Sequence, residues 1–164
     1  MQLSEQTYFH VGIFVYDIHE AIERYSKALG LDLVEPIMCG IPHLVDQGRK
    51  VSLELPLAYA TQGPPYFELL EMTGEDGLYG RQNGEGINHL GLWDRDIEGT
   101  VARLEGQGIQ LEAAQYTPEG KFVAAYFRPG DLHAVRIELV DEGRRAMMEE
   151  WIHGAAFEDF PESA

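Results

Sequence analysis

Two histidines and two glutamates stand at matching places in two copies of one sequence pattern. His10 begins "HVGIFVYDI" and His89 begins "HLGLWDRDI", so a glycine follows two residues later in both copies, and Asp-Ile follows seven and eight residues later. Further on, "YFELLE" matches "RIELVD", which places Glu68 opposite Glu138. Two imidazoles and two carboxylates form a donor set suited to one divalent Zn, Ni, Co, Mn or Fe ion.

The composition of this donor set favours an open metal site. It contains no thiolate, so a site that keeps bound water is expected rather than a closed structural zinc site. A single histidine in a strand is more often structural, and a single glutamate more often faces solvent. Costly polar residues at matched places in both copies favour metal binding instead. No glycine-rich turn has the spacing of a dinucleotide site, so no organic cofactor is predicted.

The elements that must position these residues repeat as well, and each copy reads as β-α-β-β-β. Alternation predicts a first strand at 8–16, and Asp17 with Glu20 has the spacing of a helix-capping box. Gly30 has the place of a C-terminal glycine. The other strands are predicted at 31–38, 49–58, 65–72, 87–93, 109–115, 121–128 and 133–140, the second helix at 96–107, and a type II turn at 128–131. The fold class is therefore α+β, with two tandem βαβββ modules forming a cupped mixed sheet.

Strand alternation also predicts which side chains face the cleft. Residues two apart share a face of a strand, and the aliphatic face of each first strand should pack beneath its helix. His10 and His89 then lie on the opposite, concave face. Phe14, Trp93 and Tyr126 are predicted to line a substrate cavity there, which would be aromatic and fairly apolar.

The 164 residues suit one compact domain followed by a short extension. The predicted boundaries are a single domain at 1–142, made of module 1 (8–72), a Gly-rich loop (73–86) and module 2 (87–141), and then a C-terminal helix with an acidic tail at 143–164.

Composition excludes several classes of partner. The formal net charge is −16, from 28 acidic and 12 basic residues, which argues against nucleic acid and anionic membrane surfaces. A small-molecule substrate is expected instead. The single Cys39 and an N-terminus without the pattern of a secretory signal favour a cytoplasmic protein.

Four stretches together resemble one known superfamily. "HVGIFVYDIHEAIERYSKALGL", "YFELLEMTGEDG", "GINHLGLWDRDIEGTVARLEGQGI" and "FRPGDLHAVRIELVD" are similar to the vicinal oxygen chelate superfamily over residues 8–141. This superfamily includes glyoxalase I, methylmalonyl-CoA epimerase, extradiol dioxygenases and bleomycin-resistance proteins. The resemblance implies metal ligands at His10, Glu68, His89 and Glu138. A homodimer is also consistent with it, to which the C-terminal helix could contribute.

The implied activity is that of a metal-dependent lyase or isomerase. Four ligands resemble the glyoxalase I and epimerase members, in which a metal holds two substrate oxygens while a carboxylate moves a proton. Glu138 is the first candidate base. Glu54 is the second, if Val51, Leu53 and Leu55 pack beneath the helix. The alternatives are a non-haem iron dioxygenase on the same fold and a non-catalytic small-molecule or antibiotic-binding resistance protein.

Overall fold

The computed structural model describes residues 7–155, and the predicted acidic tail from residue 156 onward lies outside them. The described strands and helices, in chain order, are β1 (Tyr8–Val15), α1 (Ile18–Leu29), β2 (Ile37–Asp46), β3 (Arg49–Tyr59), β4 (Tyr66–Glu71), β5 (Gly86–Asp94), α2 (Ile97–Glu105), β6 (Leu111–Tyr116), β7 (Phe122–Phe127), β8 (Arg136–Asp141) and α3 (Arg145–Ile152).

The eight strands form one closed barrel in the order β1-β4-β3-β2-β6-β7-β8-β5. Within each half the first strand runs parallel to the last, β1 with β4 and β5 with β8. The halves meet at two seams, where β1 lies antiparallel to β5 and β2 lies antiparallel to β6. The predicted α+β fold of two βαβββ halves is confirmed, and the second seam closes the predicted cup into a barrel.

Both main helices begin at the predicted aspartates. The side chain of Asp17 accepts a hydrogen bond from the Glu20 backbone N–H at 2.9 Å, and Asp96 accepts one from that of Gly99 at 3.0 Å. Gly30 ends α1 in the left-handed region, at φ 67°, where glycine has no steric penalty. Within residues 7–155, none of the helices combines the length and apolar character that crossing a bilayer requires.

The second strand lies later in the chain than the sequence pattern predicts. Of the expected strand at 31–38, Leu33 forms an isolated bridge with Ala60, and regular pairing begins only at Ile37. Pro36 explains the delay, because proline has no N–H to donate to a ladder and restricts the residue before it. The prediction for 31–38 is therefore wrong.

The predicted type II turn at 128–131 is also wrong. Pro129–Leu132 form a 3₁₀ turn instead. His133 and Ala134 follow in the left-handed region, at φ 53° and 68°. The prediction assigned these two residues to the last strand, at 133–140. They lie before it instead, and β8 begins at Arg136.

Three groups of buried apolar residues hold the barrel and its helices together. One fills the barrel interior, a second lies between the first half and α1, and a third lies between the second half and α2. Leu69 on β4 is fully buried in the second group, where Ile18 of α1 and Ala58 of β3 also pack. Helices α1 and α2 therefore cover the outer face of the barrel and leave its inner face to other side chains.

We expect Leu69→Ala to lower the free energy of unfolding by about 2–5 kcal/mol, because it leaves a cavity in a fully buried site. Urea unfolding measures the change. Ile87→Ala is the matched control, since Ile87 is 80% exposed and its truncation should cost less than about 0.5 kcal/mol. Equal losses for the two variants would contradict the assignment of Leu69 to the core.

Candidate metal centre

The four predicted residues come together inside the barrel at the β1–β5 seam. His10 lies on β1 and His89 on β5, the two strands that join the halves, while Glu68 and Glu138 lie on β4 and β8. In each half the glutamate is paired in the sheet with the glycine two residues after the histidine. The two halves therefore deliver equivalent side chains to one point.

The repeated glycines make room for the histidine rings. A Cβ atom on Gly12 would lie 2.1 Å from Cε1 of His89, and one on Gly91 would lie 2.4 Å from Cε1 of His10. Each imidazole thus occupies the space above the other half's glycine. The sequence pattern showed both glycines, but their reciprocal contact with the histidines was visible only in the structure.

The four side chains present one ring nitrogen or one carboxylate oxygen each to a common centre. Nε2 of His10 lies 3.0 Å from Nε2 of His89, 2.8 Å from Oε2 of Glu138 and 3.2 Å from Oε2 of Glu68. Nε2 of His89 lies 3.1 Å from Oε2 of both glutamates. One donor atom from each residue lies within 4.8 Å of the others.

These separations fit the donor set of a metal ion. Two donors at right angles around an ion, each about 2.1 Å from it, lie about 3.0 Å apart, and a tetrahedral angle separates them by about 3.4 Å. The observed donor separations of 2.8–3.2 Å are close to the right-angled value. The residues present could therefore hold one divalent ion, with angles near those of octahedral coordination.

Burial makes the charges of the cluster interdependent. The exposed fractions are 1% for His10, 2% for His89, 5% for Glu68 and 6% for Glu138. Burial alone would lower the pKa of His89, but the charge and hydrogen bonds of Glu138 and Glu68 outweigh it and raise the pKa to about 9. Burial opposes ionisation of Glu138, yet His89 and His10 hold its pKa well below the ordinary value. The chain by itself thus favours an imidazolium–carboxylate cluster.

A tyrosine from the neighbouring strand holds each glutamate. The hydroxyl of Tyr59 donates a short hydrogen bond to Oε1 of Glu68, and that of Tyr126 donates one of 2.6 Å to Oε1 of Glu138. Burial, followed by the charge of the adjacent glutamate, raises the pKa of both tyrosines well above the ordinary value. Both hydroxyls therefore stay protonated and act as donors. Tyr59 was not singled out from the sequence.

A cavity of about 90 Å³ opens beside the cluster. Its walls are mostly apolar and include Ile41, Leu55, Leu57, Ala124, Val140 and Met148. Arg144, at the start of α3, also lines it; burial lowers the pKa of its guanidinium to about 10, against the charge of Asp141. The cluster therefore faces a small, largely apolar space with one cation on its wall.

The three predicted cavity aromatics are placed differently from one another. Tyr126 lines the cavity. Phe14 and Trp93 are buried but are not among its lining residues. The Trp93 ring stacks on Phe9 at 3.9 Å between ring centroids, and Phe14 packs near His89 at 6.4 Å. Phe14 therefore packs near a residue of the cluster and Trp93 packs on Phe9, and neither aromatic forms the cavity wall.

Glu54 does not face the cleft, so that expected placement is wrong. Its side chain is exposed, whereas Leu55 and Leu57 on the same strand are buried and line the cavity. Alternation then directs Glu54 to the outer face of β3. Leu55 and Leu57 pack into the barrel interior and not beneath the helix, so the two faces of the strand are the reverse of those expected.

Comparison with known proteins agrees with this architecture. A family model described as the glyoxalase/bleomycin resistance protein/dioxygenase superfamily matches residues 9–127. A methylmalonyl-CoA epimerase variant from Streptomyces coelicolor, in complex with 2-nitronate-propionyl-CoA, has a TM-score of 0.60 and 22% identity over 84% of this chain and 98% of that chain. Methylmalonyl-CoA epimerase from Mycobacterium tuberculosis has a TM-score of 0.59 and 27% identity over 86% and 92% of the two chains. A search of curated proteins found no match.

We expect Gly91→Ala to destabilise the chelator-treated protein by roughly 1–3 kcal/mol, because the added methyl group must displace the His10 ring in a packed interior. Gly40→Ala is the matched control, since an added Cβ there meets no atom within 4 Å. Urea unfolding compares the two variants. Equal stabilities would show that the histidine ring does not depend on the space above Gly91.

The raised pKa of His89 predicts a pH-dependent stability for the chelator-treated protein. The folded-state pKa of about 9 lies above the ordinary value of 6.5, so the contribution of His89 is complete below about pH 6.5 and is lost as pH rises through 9. Such a shift corresponds to roughly 3 kcal/mol. Urea unfolding at about pH 6 and pH 9.5 should show a larger decrease for the wild type than for His89→Gln. Parallel decreases in the two proteins would contradict this assignment.

Proposed function

The chain belongs to the glyoxalase/bleomycin resistance protein/dioxygenase superfamily, and from this premise we propose that it is a divalent-metal-dependent isomerase or lyase. It would transfer a proton at the carbon next to a carbonyl group of a small molecule. The observation that carries the proposal is the convergence of two imidazoles and two carboxylates, one pair from each half of the chain, at a buried point beside a cavity.

The proposed ligands are His10, Glu68, His89 and Glu138. Two nitrogen and two oxygen donors suit Zn, Ni, Co, Mn or Fe. The near right-angled separations support six positions around the ion. Four positions filled by the protein would leave two for substrate, which suits a molecule with two adjacent oxygen atoms.

A bound divalent ion would act as a Lewis acid and contribute several kcal/mol of charge stabilisation at a carbonyl oxygen. The proton would be moved by Glu138, whose carboxylate lines the cavity. Glu68 has the equivalent place in the other half and also lines the cavity. Two carboxyl groups beside one carbon, one from each half, would suit removal of a proton by one as a carboxylate and delivery of a proton by the other as a carboxylic acid.

The cavity walls support this chemistry by excluding water. Leu55 and Leu57, 1% and 7% exposed, lie on the wall beside the cluster. A water-poor space strengthens the attraction between the cluster and charge that develops on the substrate. The similarity to two methylmalonyl-CoA epimerases, which are isomerases, supports an isomerase over a lyase.

We expect the purified protein to bind one divalent ion per chain, and His10→Ala and Glu138→Ala each to lower the metal content at least tenfold. Elemental analysis of protein never exposed to chelator measures this. His43→Ala is the matched control, because His43 is an exposed histidine on β2 and should keep full metal content. Circular dichroism verifies that the variants remain folded.

Activity of the loaded protein tests the reaction class. Methylmalonyl-CoA in deuterium oxide should exchange its α-proton if the chain is an epimerase, as proton NMR would show. Isomerisation of the hemithioacetal of methylglyoxal and glutathione would instead favour the glyoxalase-type lyase. Absence of any stoichiometric ion would overturn the proposal in favour of a non-catalytic binder, and bound iron with oxygen-dependent turnover would favour a dioxygenase.

A further inference from the structure

The two tyrosines that hold the glutamates occupy equivalent places in the two halves. Tyr59 on β3 lies directly opposite Glu68 on β4, and Tyr126 on β7 lies directly opposite Glu138 on β8. Both pairs are cross-strand neighbours in antiparallel ladders, where side chains on one face meet directly. The same contact is therefore built twice, although the pattern of repeated residues in the sequence does not include the tyrosines.

Each tyrosine engages one oxygen of its glutamate and leaves the other for the centre. Oε1 of Glu68 accepts from Tyr59, while Oε2 lies 3.1 Å from His89 and 3.2 Å from His10. Oε1 of Glu138 accepts from Tyr126 at 2.6 Å, while its Oε2 lies 2.8 Å from His10 and 3.1 Å from His89. The division between the two oxygens is the same in both halves.

This division determines how many positions around an ion the protein fills. If each glutamate donates one oxygen, two histidines and two glutamates supply four donors. If each glutamate donated both oxygens, the same residues would supply six and fill an octahedral ion completely. A substrate with two oxygens can bind only in the first case.

We propose that Tyr59 and Tyr126 are positioning residues that hold the glutamates as single-oxygen donors and so reserve two adjacent positions for a chelating substrate. This inference rests on the proposed function. It assigns the tyrosines to substrate access and not to the chemical step.

The two tyrosines are held unequally. Tyr79 and Tyr126 share a hydrogen bond of 2.7 Å between hydroxyls, and Nε2 of Gln115 donates to Tyr79 at 2.9 Å and to Tyr126 at 3.3 Å. Because the Tyr126 proton is given to Glu138, the Tyr79 hydroxyl must donate to Tyr126. Successive donors in such a network polarise one another, so the bond to Glu138 is reinforced. The Tyr59 hydroxyl has its hydrogen bond to Glu68, and its ring packs on Phe9.

The test uses full-length protein loaded with Co²⁺ and acetohydroxamate, a small chelator that binds through two adjacent oxygens. Titration of the visible absorption gives the dissociation constant of the probe and reports the coordination number of the ion. We expect Tyr59→Phe and Tyr126→Phe each to weaken probe binding on the order of 10–100-fold, with spectra that indicate more protein oxygen donors. Tyr79→Phe should have a smaller effect, because it acts through Tyr126.

Tyr66→Phe is the matched control. It removes the hydroxyl of another buried tyrosine of the barrel, one that faces His153 at 3.5 Å and neither glutamate. A purely structural role would lower the melting temperature of the Phe variants without changing the Co²⁺ spectrum. If one variant does not fold, the other tests the same contact in its own half, and Tyr79→Phe tests the network.

The outcomes separate this inference from the proposed function. A wild-type protein that does not bind Co²⁺ would overturn the proposed function itself. A wild type that binds Co²⁺ and acetohydroxamate, with both Phe variants giving the same spectra and dissociation constants, would overturn only the role of the tyrosines.

Discussion

The structure depends on the mutual neutralisation of two carboxylates and two imidazoles buried at the β1–β5 seam. An isolated buried carboxylate is far too costly to keep. The 2.8 Å contact of His10 is with Glu138 of the other half, and Glu68 lies 3.1 Å from His89. Each glutamate also lies within 3.2 Å of the histidine of its own half, so both carboxylates are neutralised by imidazoles from the two halves together. The cluster therefore fixes how the two halves are placed and forms the candidate site at the same time.

Steric fit imposes a second constraint at the same place. Each histidine ring occupies the space above a glycine of the opposite half, so Gly12 and Gly91 are as necessary to the cluster as the ligands are. The tyrosines then restrict the carboxylates from the cavity side. The donor atoms are consequently fixed by the backbone pairing on one side and by Tyr59 and Tyr126 on the other.

The sequence predicted the parts of the site that are repeated. His10, His89 and the two glutamates were found because both copies carry them, and Asp17 was found because capping is a local property. Glu54 was assigned to the wrong face of its strand, because the alternation of side chains defines two faces but does not show which one faces the interior. The pairing of β2 with β6 closes the barrel, and Leu55 of β3 faces the cavity inside it. Such long-range contacts have no local signal in the sequence. Tyr59 was missed because it lies opposite Glu68 across a turn and has no counterpart at the same repeat spacing.

The cavity is lined by residues of the barrel strands and by residues of the segment that follows the last strand in the chain. The family model matches 9–127, whereas Arg144 and Met148 lie beyond it and line the cavity. Trp151 and Ile152 are 5% and 0% exposed and anchor the same helix in the barrel interior. This segment therefore places a cation and a flexible thioether on the wall of the cavity, beside the four candidate donors.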